Sequence, residues 1–313
     1  MVYCTNKNVC GRLENGCTRR KKLELELLRY IQSAASPVLD VFFIGITMLA
    51  EPALWVVVLA WIYWNSDKTA GRFISYAMFT SLCFGNGLKE IFRMPRPIGE
   101  PGIRTIYADT ATGYSFPSGH TQGATSLFAS LALGSKQRST KFLFTASFLL
   151  VGFSRMYLGV HTPKDVLTSL VISLGFSVAY SRYADILFRQ IRTLSAVLAG
   201  ISCFVLASAF LLVKYDGLPS MYAADTIKAA GAGLGFALGL WLEETYLHFS
   251  TATRTRMGQL LKLALGLGST LTWKLLLSGW SALLLWKVFE YAFLVVWILF
   301  LYPALFTSVQ KNI

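Results

Sequence analysis

GYSFPSGHTQGATSLF, Gly113 to Phe128, and GFSRMYLGVHTPKDVL, Gly152 to Leu167, place imidazole, guanidinium and carboxylate groups at the ends of apolar runs. Such groups are costly in hydrocarbon, so they are expected where a helix leaves a membrane and where function requires them. Outward from these stretches, apolar runs close to the 20 or so residues that cross a bilayer core alternate with short polar turns. About nine runs emerge: Pro37 to Trp64, Phe73 to Phe92, Gly119 to Leu133, Phe142 to Leu158, Val166 to Tyr183, Leu194 to Val213, Ala223 to Phe249, Leu260 to Leu277 and Ala282 to Phe306. The expected fold is all-α, a polytopic membrane helical bundle with about nine transmembrane helices.

The first run is irregular. It holds Asp40 and Glu51, with Pro52 directly after, which suggests a short surface helix followed by a short crossing. Ahead of it, Leu23 to Gln32 has apolar residues at helical spacing behind a basic run and reads as an interfacial helix. Gly231, Gly235 and Gly239 recur at every fourth position, a pattern that brings helices together. Packing within the chain is favoured there, with a homodimer seam as the alternative. Asp225, Lys228, Lys274, Lys287 and Glu290 either line a polar cavity or pair with one another. Trp241, Trp273, Trp280, Trp286 and Trp297 suit an interfacial belt, and His248 an interfacial position.

Composition excludes a soluble domain: 54% of the 313 residues are hydrophobic and only 14% are charged. The opening stretch is polar and basic through Lys21 and Lys22, so a cleaved signal peptide is not expected. The net charge of +13 lies between apolar runs and in one loop, not along a soluble face. It therefore points to anionic headgroups and the positive-inside rule, with no nucleic-acid partner. If each run crosses once, one side collects Lys68, Arg72, Lys136, Arg138, Lys141, Arg182, Arg189, Arg192, Arg254 and Arg256 and is cytoplasmic. The loops carrying the imidazoles then face the extracytoplasmic side of the cell membrane, although the same count puts Arg19 to Lys22 outside too. Cys83 and Cys203 lie in apolar runs, and Cys4, Cys10 and Cys17 have neither metal-site spacing nor an even count.

Three clusters carry the chemistry. Lys89 is followed seven residues later by Arg96-Pro97; Pro117-Ser118-Gly119-His120 opens an apolar run; Ser154-Arg155 precedes His161 and Asp165. A phosphate ester needs fixed donors around its non-bridging oxygens, which Lys89, Arg96 and Arg155 supply. The N–H groups of Ser118 and Gly119 at a helix N-terminus suit an anion, and glycine lets it approach the backbone. A neutral imidazole, His161, attacks phosphorus if Asp165 fixes its tautomer, leaving His120 to protonate the leaving alcohol and then activate water. Asp165 also suits a capping role behind Thr162 and Pro163. Arg93 and Arg104, in the same loop, suit surface or headgroup contacts.

Lys-x6-Arg-Pro, Pro-Ser-Gly-His and Ser-Arg-x5-His-x3-Asp, complete and in order, resemble the three signatures of the type 2 phosphatidic acid phosphatase superfamily. The resemblance covers about Pro37 to Tyr183, and the surrounding text is similar to bacterial members. It implies that Lys89, Arg96, Ser118, Gly119 and Arg155 bind phosphate, that His120 is the general acid, His161 the nucleophile and Asp165 its orienter. It also implies catalysis with neither metal nor other cofactor, and inhibition by vanadate. The expected organisation is a basic tail with the interfacial helix over residues 1–36, a catalytic core over 37–186 and an extension of about four helices over 187–313, an extension resembling longer bacterial relatives.

The expected function is hydrolysis of a membrane lipid phosphate or diphosphate, either a polyprenyl diphosphate such as undecaprenyl diphosphate or a phosphatidate-like lipid, through a phosphohistidine. The alternatives are a lipid phosphotransferase using the same site and a headgroup-binding transporter or flippase. The soluble vanadium-dependent haloperoxidases share the anion cage but not the apolar composition.

Overall fold

The computed structural model describes residues 21–252, 255–279 and 283–311. The tail cysteines, Arg19, Arg20, Arg254 and Trp280 lie outside the described residues. Within them every regular element is a helix. In chain order these are α1 (Lys21–Ser33), α2 (Pro37–Met48), α3 (Pro52–Trp61), α4 (Lys68–Phe92), α5 (Gly119–Gly134), α6 (Arg138–Tyr157), α7 (Pro163–Leu187), α8 (Ile191–Tyr215), α9 (Ser220–Leu242), α10 (Arg256–Ser278), α11 (Leu284–Val296) and α12 (Tyr302–Lys311).

Local chemistry sets the boundaries. Ser36, Asp67, Ser118 and Thr255 cap α2, α4, α5 and α10 by accepting first-turn backbone N–H groups. Proline begins α2, α3 and α7, where its missing N–H costs nothing. The first apolar run does split, at Leu49 to Glu51, and α1 meets α2 at a bend of 117°. From there α2 packs over the C-terminal part of α6, with Phe43 against Phe153 and Tyr157, while α3 runs beside α5.

Helices α4 to α7 alternate in direction, so the end of α4, the start of α5, the end of α6 and the start of α7 share one end of the bundle. The start of α4 meets the end of α9 at the other end, where Lys68 and Arg72 pair with the buried Glu243. Lys262 on α10 donates to the Trp64 carbonyl nearby, and His248 lies exposed just beyond Glu243. Tyr63, Trp64, Tyr76, Leu198, Phe236 and Leu240 fill the apolar core between the two halves of the chain.

By length and composition, four stretches among the described residues are long and apolar enough to cross a membrane: Pro163–Ala184, Ile191–Tyr215, Arg256–Ser278 and Leu284–Thr307. Taking the bent pair α1–α2 as one span makes five. The expected count of about nine is thus not carried by this criterion. The physical reason is visible in the excluded helices, which turn polar groups inward: Arg72, Asn86, Lys89 and Glu90 are buried on α4, as are Thr121, Gln122, Thr125, Ser126 and Ser130 on α5.

The glycine stripe of α9 packs inside the chain, against α11. A Cβ on Gly235 would lie 2.3 Å from the Ala292 carbonyl oxygen, and one on Gly231 2.8 Å from that of Val288. Gly235→Leu should therefore force the two backbones apart and destabilise the protein by about 1–3 kcal/mol. Gly268→Leu, where a Cβ has open space, should change little. Thermal unfolding of the two detergent-solubilised variants compares them directly. Of the C-terminal ionisable groups, Asp225 pairs with Lys228 and Glu290 with Lys274. Trp297 meets Trp273 edge to face and donates to Ser269, while Trp286 donates to the Leu277 carbonyl.

Candidate active site

His161 sits between α6 and α7 and is 1% exposed. Its two ring nitrogens face opposite kinds of neighbour. Nδ1 lies 3.5 Å from Asp165 Oδ2 and 3.3 Å from Ser115 Oγ, and Ser115 in turn donates to Asp165 Oδ2 at 2.6 Å. Arg96 Nη1, which can only donate, lies 2.9 Å from Nε2. Carboxylate on one side and guanidinium on the other select the tautomer protonated at Nδ1 with a lone pair on Nε2. Asp165 is itself fixed at the head of α7, its Oδ2 accepting the Thr162 N–H at 2.7 Å. The capping role and the imidazole contact coexist.

Burial and the neighbouring Arg96 hold His161 well below the usual imidazole value, against the opposing pull of Asp165. The sign follows: the neutral, nucleophilic form persists as pH falls below about 6.5, where a free imidazole is half protonated. NMR of isotopically labelled histidine should show His161 as the neutral Nδ1–H tautomer below that pH. The chain has only three histidines, so His161→Ala assigns the signal.

Arg96 is held by the loop that follows α4. Its Nε donates to the Gly113 carbonyl at 3.0 Å, Nη1 to Val160 at 3.1 Å, and Nη2 to Thr112. Burial draws it down to about 10, which leaves it cationic at neutral pH. Lys89, 7% exposed at the end of α4, donates to the Tyr114 carbonyl at 3.3 Å. Its Nζ lies 4.0 Å from where a Cβ on Gly119 would stand, so the ammonium faces the N-terminus of α5. Arg155 on α6 is fully buried, with Nη1 2.9 Å from Thr47 Oγ1 and both terminal nitrogens 3.4 Å from Thr110 Oγ1. Its Nε has no hydrogen-bond partner. An orphaned guanidinium N–H in a closed site is a donor without its acceptor.

Ser118 differs from expectation in one respect. Its backbone N–H is used by the Asp165 carbonyl at 3.3 Å, and its hydroxyl accepts from Thr121, so its part in an anion site falls to the hydroxyl. Gly119 and His120 form the first turn of α5, whose N–H groups have no acceptor within the helix. His120 Nε2 lies 3.4 Å from Glu51 Oε1. Arg155 lies close enough to act electrostatically on both imidazoles, and Lys89 on His120. All eight sequence-selected residues thus gather at one end of the bundle.

Outside that cluster, Arg104 lies partly exposed at the surface with a fixed partner. It forks onto Asp40 at 2.8 and 2.7 Å, tying the loop to α2. Arg93 pairs with Asp216. Sequence reasoning missed Ser115, Thr47, Thr110 and Glu51. Ser115 carried a signal in its place two residues ahead of Pro117, and Glu51 in being a carboxylate inside an apolar run.

A cleft of about 510 Å³ opens beside Arg96, walled by Pro95, Tyr114 and, from α9, Met221 and Tyr222. The rings of Tyr114 and Tyr222 are 4.7 Å apart, so the second half of the chain closes this side.

The chain is similar to known proteins. The family model described as PAP2 superfamily matches residues 70–189, and the model described as PAP2 superfamily phosphatase, transmembrane extension, matches residues 227–312. Undecaprenyl-diphosphatase BcrC of Bacillus subtilis (strain 168) is 32% identical over 154 residues, 48% of this chain and 77% of that protein. This chain belongs to the PAP2 superfamily. It is a membrane protein and an enzyme of that superfamily's phosphatase class. Sphingosine-1-phosphate phosphatase 2 of Mus musculus is 25% identical over 214 residues, 66% of this chain and 59% of that protein. The chain thus spans little more than half the length of that relative. A crystal structure of Aquifex aeolicus LpxE is similar at 26% identity and a TM-score of 0.44, covering 51% of this chain and 96% of that one.

Proposed function

We propose that this PAP2 protein hydrolyses a membrane lipid phosphate or diphosphate in two displacements at His161. The observation that carries the proposal is the opposed pairing of the His161 ring, with Asp165 at Nδ1 and Arg96 at Nε2, beside an Arg155 whose Nε lacks an acceptor. An incoming phosphate draws the Arg96 guanidinium onto its oxygens and so exposes the Nε2 lone pair. Nε2 then attacks phosphorus, the bond to the leaving oxygen breaks, and His120 gives that oxygen a proton. Asp165 stabilises the imidazolium-like ring of the phosphohistidine. In the second displacement His120 takes a proton from water, whose oxygen attacks phosphorus and frees His161. Lys89, Arg96, Arg155, the Ser118 hydroxyl and the Gly119 end of α5 hold the non-bridging oxygens throughout.

Undecaprenyl diphosphate is the leading substrate, supported by the similarity to BcrC over 77% of that protein. The cleft beside Arg96, with Tyr114 and Tyr222 in its wall, suits the rest of the headgroup and the first part of the chain. The crossings number about nine, and the site faces the extracytoplasmic side, because Lys68, Arg72, Lys136, Arg138, Lys141, Arg182, Arg189, Arg192 and Arg256 lie towards the opposite end.

The test uses purified full-length protein in detergent with chelator present. Undecaprenyl diphosphate, undecaprenyl phosphate, phosphatidate and sphingosine phosphate are compared for release of inorganic phosphate. An alkaline quench with labelled substrate should trap phosphate on histidine. Turnover with no alkali-stable, acid-labile label would defeat the covalent mechanism, and transfer of label to an added alcohol in place of water would make the enzyme a transferase.

A further inference from the structure

Glu51 is the one carboxylate within hydrogen-bond reach of His120 among the described residues, and it lies outside every motif that selected the site. It stands at the break between α2, which ends at Met48, and α3, which Pro52 begins, so its side chain is set by a backbone turn and not by a helix face. Oε1 is 3.4 Å from His120 Nε2, and the side chain is about a third exposed. Three charged groups face this imidazole: Glu51 from the α2–α3 break, Arg155 from α6 and Lys89 from α4. Two of the cations that hold the substrate, Arg155 and Lys89, act against a positive charge on His120. A general acid in such surroundings requires a fixed anion on the nitrogen that does not face the substrate.

We infer that Glu51 is the positioning residue of the general acid, holding His120 Nε2–H so that Nδ1–H is presented to the leaving oxygen. This rests on the role of His120 given above. In the first displacement the P–O bond breaks, its electron pair stays on the leaving oxygen, and the Nδ1 proton moves onto that oxygen. His120 is left neutral, with Nε2–H still on Glu51. The second displacement returns a proton to Nδ1 from water. Glu51 itself neither gains nor loses one.

The consequence is a dependence on leaving group that a structural role does not produce. An alkyl phosphate departs as a strongly basic alkoxide and needs the acid, whereas p-nitrophenyl phosphate departs as a weakly basic phenolate and needs it far less. Glu51→Gln keeps shape and removes charge. The first displacement is read alone, as the single-turnover rate at which the leaving alcohol is released: with a lipid alkyl phosphate this rate should fall about 10²-fold in Glu51→Gln, while the release of p-nitrophenolate from p-nitrophenyl phosphate falls less than about 5-fold, within the range by which acid catalysis contributes. Glu51→Asp should recover part of the lipid activity. Activity on the aryl ester reports that each variant is folded. His120→Ala is measured beside them. A selective loss in both His120→Ala and Glu51→Gln supports the inference. A selective loss in His120→Ala with equal losses on both substrates in Glu51→Gln removes Glu51 from the acid machinery and leaves the function intact. Equal losses in His120→Ala overturn the acid role of His120, and the present inference with it.

Discussion

His161→Ala is expected to lower kcat on a lipid phosphate by about 10³-fold or more, with KM changed far less. The contrast between the two constants follows from the geometry. Lys89, Arg96, Arg155 and the start of α5 form a cage that does not need the imidazole, so the variant still binds the substrate phosphate. What it loses is the atom that forms the covalent bond. If water attacked directly and His161 only contributed a hydrogen bond to the bound phosphate, KM would rise and kcat would fall modestly. Asp165→Asn should fall in the same direction, because an amide placed 3.5 Å from Nδ1 no longer selects the Nδ1–H tautomer. Steady-state kinetics of the purified variants decide the matter, and vanadate should still raise the thermal midpoint of His161→Ala, which shows that the cage is folded.

The site was legible because its chemistry is charged and its surroundings are not. Lys89, Arg96, His120, Arg155, His161 and Asp165 sit at the ends of apolar runs, where an ionisable side chain has few structural reasons to be. Helix boundaries were legible for the same reason, since Pro52 and Pro163 mark breaks and starts that nothing else explains. The supporting groups were not. Thr47 and Thr110 lie 108 and 45 residues from the Arg155 they contact, and a threonine in an apolar or polar run carries no signal of its partner. Glu51 was noticed only as an irregularity. Arg104 showed why charge alone misleads: its partner Asp40 lies 64 residues away, in a run whose carboxylates seemed merely awkward. The criterion of length and hydropathy marks fewer crossings than the apolar runs suggest, since the helices that build the site carry buried serine, threonine and glycine and so lose the hydropathy that marks a span.

Arg155→Met is expected to lower kcat/KM by about 10²–10³-fold, the scale seen when one donor to a developing anionic charge is removed, while leaving the ligand-free protein no less stable. The two effects have one cause. Arg155 is fully buried, its terminal nitrogens meet the neutral hydroxyls of Thr47 and Thr110, and its Nε has no acceptor. A buried cation in that state opposes folding, and an apolar side chain of similar length removes the penalty, while the threonine hydroxyls can turn back to their own helix or turn. Anion binding reverses the balance, because a phosphate oxygen supplies the missing acceptor. Vanadate at about 100 times its Kd should therefore stabilise the wild-type protein by about 2.7 kcal/mol, seen as a rise in the thermal midpoint, and that rise should largely vanish in Arg155→Met. A variant that unfolds earlier than the wild type without ligand, yet keeps the vanadate response, would make Arg155 a structural strut between α2 and α6 and move the phosphate cage elsewhere.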